Sequence, residues 1–160
     1  MTYKIREPYK HFSDLQRMVV IVRAVLEESP TYKHMQFDEK KTMNFLYDAM
    51  HGRPGFFIRV IVDENDVIVG GIICLCEELI TSTDKVAYDL TIMMDKEHRG
   101  HCITHLVEII RLYKVWAVAQ GAKVVKMGVS SGLNIDKASH FLEKLGFARI
   151  GAMHGFIVEA

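Results

Sequence analysis

Residues 56–76, FFIRVIVDENDVIVGGIICLC, constrain the fold more than any other stretch of the chain. Two β-branched runs flank a Glu-Asn-Asp turn, the pattern of an antiparallel hairpin. A second extended segment, KVAYDLTIMMD, follows soon after. Its alternation puts Val86, Tyr88, Leu90, Ile92 and Met94 on one face and Ala87, Asp89, Thr91 and Met93 on the other. The middle of the chain is therefore sheet.

The flanks supply the cover. YKIREP predicts a short first strand closed by Pro8, and Ser13 is placed to cap a helix beginning at Asp14 that ends before Pro30. DEKKTMNFLYDAM predicts a second helix capped by Asp38. From Ile103 to Gln120, polar His105, Glu108, Arg111 and Lys114 recur at intervals of three and leave a wide apolar face, with Gly121 as the stop. AKVVKMGV reads as a strand, NIDKASHFLEKL as a helix closed by Gly146, and FARIGAMHGFIVE as a final hairpin. This order predicts an α/β (α+β) fold, a mixed, mostly antiparallel sheet of about seven strands with helices on both faces. No repeat or low-complexity linker interrupts it, so one domain is expected over residues 1–160.

Twenty basic side chains balance twenty acidic ones, which leaves no broad field for nucleic acid or a membrane surface. The longest uncharged apolar run, Val67 to Cys76, is far short of the roughly 20 residues a membrane span needs. Three cysteines without a CxxC pair, and an N-terminus lacking an apolar leader core, point to reduced thiols in a cytoplasm. Oligomeric state leaves no mark in the sequence.

Chemistry concentrates in DKEHRGHCITHLVEII, residues 95–110. A strand, a tight basic loop and a helix start make the layout of an anion cradle. The free amides of residues 101–105 and the helix dipole favour a negative ligand, with Arg99, Gly100 and the side chains of His101 and His105 beside them. The competing readings are a plain strand-to-helix turn and a metal site. His98, His101 and His105 suggest the latter, but Cys102 follows His101 where a zinc peptidase has glutamate, and no third ligand follows at a typical spacing, so no metal is expected. Cys74 and Cys76 share a strand face as core residues; Cys102, at a helix start, is the one thiol with a reason to be reactive.

Three segments together resemble the GNAT-type N-acetyltransferase superfamily: VIVGGIICL, similar to its third strand; EHRGHCI, similar to its coenzyme A diphosphate loop; and NIDKASHFLEKLGFARIG, similar to its closing pattern of Asn, Ala and Lys-Leu-Gly-Phe. MGVSSGLN is similar to acetyltransferases encoded by bacteriophages. The resemblance implies acetyl transfer from acetyl-coenzyme A, bound as cosubstrate, to a primary amine by direct attack in a ternary complex. The acceptor would be a small amine or a protein amine. It implies that backbone groups of Ile92, Met93 and Met94 hold the thioester arm. The diphosphate would lie on Arg99, Gly100, His101, Cys102, Ile103, Thr104 and His105, and the arm would pass Asn134 and Ala138. Asn134 reads equally well as a plain helix cap. Tyr32, His34 and Phe37 fall where the family builds its acceptor pocket.

Two departures stand out. Cys102 and Thr104 occupy positions usually held by small residues, and Leu142 replaces a tyrosine that protonates the departing sulfur. A thiol with a pKa near 8.5 leaves tolerably without an acid, and Ser130, Ser131 or water could substitute. Deprotonating the amine matters more: at pH 7 about one lysine-like amine in 2500 is neutral, a deficit of roughly 4.6 kcal/mol. Asp89, inside the sheet, is the first candidate base, with a purely structural carboxylate as the other reading; Glu77, Glu78, His140 and Ser131 are weaker candidates. The alternative function is a catalytically eroded GNAT-like module that binds or inhibits a protein partner.

Overall fold

The computed structural model describes residues 2–128, 131, 134–151 and 154. Its elements are β1 (Lys4–Arg6), α1 (Phe12–Glu28), α2 (Glu39–Met50), β2 (Phe56–Val62), β3 (Ile68–Glu78), β4 (Lys85–Met94), a short 3-10 turn (Lys96–His98), α3 (Ile103–Ala119), β5 (Ala122–Val125) and α4 (Ile135–Lys144). The strands form one sheet in the order β1-β2-β3-β4-β5. The first three pairings are antiparallel and β4–β5 is parallel. The predicted mixed, mostly antiparallel sheet is borne out. Its strand count is corrected to five among the described residues. Residues 147–151 of the expected closing hairpin carry no strand, and 148–151 are exposed; much of the rest lies outside the described residues.

Helices cover both faces, each over its own core. On one side Met18, Ile21, Leu46, Val60, Ile73 and Met93 pack beneath α1 and α2. On the other, Phe57, Ile72, Cys74, Ala87, Ile109 and Tyr113 pack beneath α3. Cys74 and Cys76 are the core residues their spacing predicted.

Local chemistry sets the helix ends. The Asp38 carboxylate accepts the Lys41 N–H at 2.9 Å, the predicted cap of α2. Ser13 does not cap α1, which starts earlier, at Phe12. The entry to α1 is held by Asp14, whose carboxylate accepts the Tyr9 N–H at 2.7 Å and pairs with Arg6 at 2.7 Å. Arg6 also reaches Asp66 in the β2–β3 turn at 2.9 Å, tying the edge strand to the central hairpin. Gly121 and Gly146, both at φ near +85°, end α3 and α4 in a conformation that costs other residues strain.

The far end of α1 reaches the loop after β4. Glu28 pairs with Arg99 at 2.6 Å, and the next residue, Ser29, is fully buried and donates its hydroxyl to the Ser131 carbonyl at 2.5 Å. Nearer its start, Arg17 pairs with Asp95. α1 is thereby fixed at two points to the segment 95–99.

Candidate functional site

Strand β4 is not regular. Ile73 pairs with Thr91 but Cys74 pairs with Asp89, so Leu90 is an extra residue opposite no partner. Such a bulge reverses the facing of everything beyond it. The single alternation predicted for residues 86–94 is therefore corrected. Ala87 shares the α3 face with Ile92 and Met94, and Met93 lies in the core under α1 and α2. Directly opposite residues project from the same face, so Asp89 follows Cys74 to the α3 side.

The bulge lies where β4 and β5 part. Their pairing ends at Ala87 with Val125, extended only by the Lys126 N–H to the Ala87 carbonyl at 2.7 Å. At the other end of β4, Asp95 donates its N–H to Val69 on β3. By alternation, the backbone groups of Ile92 and Met94 point away from β3, to the side where β5 no longer follows. The Met94 carbonyl accepts from the Arg99 guanidinium at 3.3 Å.

Asp89 stands where the strands separate. It accepts the Gly128 N–H at 2.8 Å. Burial raises its pKa above the ordinary value, and backbone hydrogen bonds from Gly128 and its own amide oppose the shift in part. Tyr113, buried on the same face, donates to the Lys126 carbonyl at 3.1 Å, and its hydroxyl is pushed up, first by burial. Ser131 lies beyond β5, with its carbonyl engaged by Ser29; Ser130 falls outside the described residues. Glu77 accepts from the Tyr88 hydroxyl, whose pKa is pushed up to about 12, first by that hydrogen bond. Glu78 is exposed, and His140 is exposed beside Glu143 at 3.7 Å.

The loop after β4 is tighter than its sequence suggested. The N–H groups of His101 and Cys102 both turn back to the His98 carbonyl, at 3.0 and 3.2 Å. The helix start therefore presents Ile103, Thr104 and His105, not residues 101–105. Arg99 is committed to Glu28 and Met94. Cys102 is fully buried, so desolvation pushes its thiol up, against a hydrogen bond from Tyr3. The expected reactive thiol is corrected to a buried one, raised by desolvation. Gly100 borders open space, and Ile103 and Thr104 are exposed. His101 and His105 border a hollow of about 510 Å³ with Thr2 and Tyr3. His98 bonds the Tyr3 hydroxyl through Nδ1 at 3.0 Å. Among the described residues no three His, Cys, Asp or Glu side chains converge to hold a metal.

No protein-family model matches the chain, and no curated protein is similar to it in sequence. Solved structures are similar in three dimensions. An acetyltransferase from Trypanosoma brucei superposes with a TM-score of 0.70 at 19% identity, covering 98% of this chain and 100% of its own. Glucosamine-6-phosphate N-acetyltransferase from Arabidopsis thaliana gives 0.70 at 13%, covering 99% and 100%. An aminoglycoside acetyltransferase from an uncultured soil metagenomic sample, in complex with sisomicin, gives 0.66 at 20%, covering 99% and 97%. The chain has the GNAT-type acetyltransferase fold.

In this GNAT-type fold α4 carries Asn134 and Ala138. Asn134 is the N-cap residue of α4, in a left-handed conformation (φ 47°); its carbonyl accepts the Ala138 N–H at 3.0 Å and its side chain makes no cap bond. Leu142 is buried, as its side chain requires. A second hollow, of about 320 Å³, lies between α1, α2 and β4. The bulge residue Leu90 and its neighbour Thr91 line it, with Phe45 and Thr42 of α2. Sequence reasoning missed these: on α2 they look like any amphipathic helix, and the bulge has no composition signal. The expected Tyr32, His34 and Phe37 do not line it; Phe37 packs against α1 and α2 and lies under the Arg23 guanidinium, 4.8 Å from its ring centre. No helix among the described residues is long and apolar enough to cross a membrane.

Proposed function

We propose that the chain is an N-acetyltransferase that moves an acetyl group from acetyl-coenzyme A to a primary amine. The observation that carries this reading is the bulged edge of β4, open where β5 diverges, with the half-buried Asp89 carboxylate at the point of separation. An open strand edge can take an extended amide-bearing arm as if it were another strand. Ile92 and Met94 would supply those backbone groups, with Met93 between them turned into the core. The amides of Ile103, Thr104 and His105 at the start of α3 suit a diphosphate, and Gly100 leaves room for its approach. His101 and His105 stand beside them. Arg99 then serves by holding the loop to α1 rather than by meeting phosphate, and Cys102 by filling the core beneath it. Asn134 and Ala138 would border the arm from α4.

Asp89 acts as proton acceptor for the incoming ammonium, through water. Its raised pKa makes it a better base than an exposed aspartate, while its bond to Gly128 fixes its direction. A backbone N–H on the open edge stabilises the oxyanion as the amine adds to the thioester carbon. Ser131 or water returns a proton to sulfur.

Thermal unfolding with acetyl-coenzyme A, coenzyme A and ATP tests this reading. At about 100 times its dissociation constant, either coenzyme A form is expected to raise the midpoint by about 5 to 10 °C, with no shift from ATP. No shift at millimolar acetyl-coenzyme A would overturn the enzyme and leave the chain a protein-binding module on this fold.

A further inference from the structure

We infer that the acceptor is a primary amine on an apolar body that also carries one anionic group, seated in the hollow between α1, α2 and β4. The inference rests on the acetyl-transfer reading above and names the substrate class of that site.

The hollow is small, about 320 Å³, at the lower end of the roughly 300–1,000 Å³ typical of ligand pockets. Val22, Phe45, Leu46 and Leu90 make its wall apolar. Among the described residues, Thr42 and Thr91 are the neutral polar ones on it, and no carboxylate lines it. A polycationic aminosugar brings several ammonium and hydroxyl groups, each of which loses water on entry and needs a partner. This wall cannot provide them. It suits an aliphatic or aromatic body, with the amine directed along Leu90 and Thr91 toward the open edge of β4.

Lys41 fixes the remaining feature. Among the described residues it is the one charged residue lining the hollow; it is exposed, and it makes no ion pair with any of them. Of the charges on α1 and at the start of α2, Arg23 and Glu39 pair with each other, and the Asp38 carboxylate is engaged by the Lys41 backbone N–H at 2.9 Å. An unpaired ammonium at the rim repels a second cation on the substrate and attracts a carboxylate or phosphate. In the reaction the amine nitrogen bonds to the thioester carbon as the carbon–sulfur bond breaks. Sulfur leaves with the electron pair; of the two protons the ammonium gives up, one passes through water to Asp89 and on to solvent, and the other balances the one gained by the thiolate.

The test compares kcat/KM for 4-(2-aminoethyl)benzoate, 2-phenylethylamine, glucosamine 6-phosphate and sisomicin, with thiol release as the readout. The benzoate is expected to exceed phenylethylamine by up to about fivefold, the scale of a half-exposed ion pair, and both to exceed the aminosugars. Lys41→Gln, at an exposed position, should bring the two apolar amines to equal kcat/KM. Preference for either aminosugar, persistence of the benzoate advantage in the variant, or no transfer to the apolar amines while acetyl-coenzyme A still shifts the midpoint would each overturn the inference and spare the enzyme reading. Failure to bind acetyl-coenzyme A overturns both.

Discussion

Asp89 carries two expectations that separate its chemical role from its structural one. Asp89→Asn keeps an oxygen that can accept the Gly128 N–H but removes the proposed base, so kcat is expected to fall by about 10² to 10⁴. The second expectation concerns stability. Burial raises the folded-state pKa above the ordinary 3.8, so the folded chain holds this proton more tightly than the unfolded one. The contribution to stability is full below pH 3.8 and is lost as pH rises through the raised folded value. Denaturant titrations across acidic pH should show this loss in the wild type and not in Asp89→Asn; equal slopes would mean the carboxylate is not desolvated. The residue itself was legible in the sequence as a carboxylate inside a strand. The facing of residues 91–94 relative to it was not, because a plain alternation ignores the bulge one residue later. Arg99 shows the same limit: a cation in a loop can be read from the sequence, but its pairing with distant Glu28 cannot.

Among the elements, β3 packs closely at two glycines, Gly70 and Gly71, for different reasons. A Cβ on Gly71 would lie 2.5 Å from the Arg59 carbonyl oxygen and 3.1 Å from the Val60 Cα, both backbone atoms of β2. On Gly70 it would lie 2.5 Å from the Met94 sulfur, part of a flexible side chain. Gly71→Ala is therefore expected to cost about 1–3 kcal/mol, a fall in midpoint of several degrees, and Gly70→Ala clearly less. Equal losses would show that β2 yields as easily as a methionine. The hairpin itself was plain from its β-branched runs, as were the helices from their spacing and their glycine stops. The start of α1 was misjudged because Ser13 looks like a cap, whereas the carboxylate of Asp14 took the work through tertiary contacts with Tyr9 and Arg6. The hollow between α1, α2 and β4 had no signature, since Thr42 and Phe45 differ in no visible way from the rest of α2.

The whole molecule places Cys74, Cys76 and Cys102 in one core, under α3. All three are buried, and burial pushes each thiol up. A disulfide reagent should therefore label none of them rapidly in the native protein and all three in denaturant, at a rate set by global opening. Rapid native labelling of one thiol would show that the α3 core opens locally. The fold class was legible at this scale because element order survives in hydrophobic pattern; the strand count was not, because strand propensity in residues 147–151 says nothing about whether a partner edge is free. The open edge of β4 has one more consequence. A ligand held by main-chain groups does not dictate which side chains a strand carries, so substitutions along it escape selection provided the bulge and the divergence of β5 persist. Lineages using such a site can drift until sequence similarity fades while the architecture endures, as in a chain that no family model matches and that still superposes at a TM-score of 0.70.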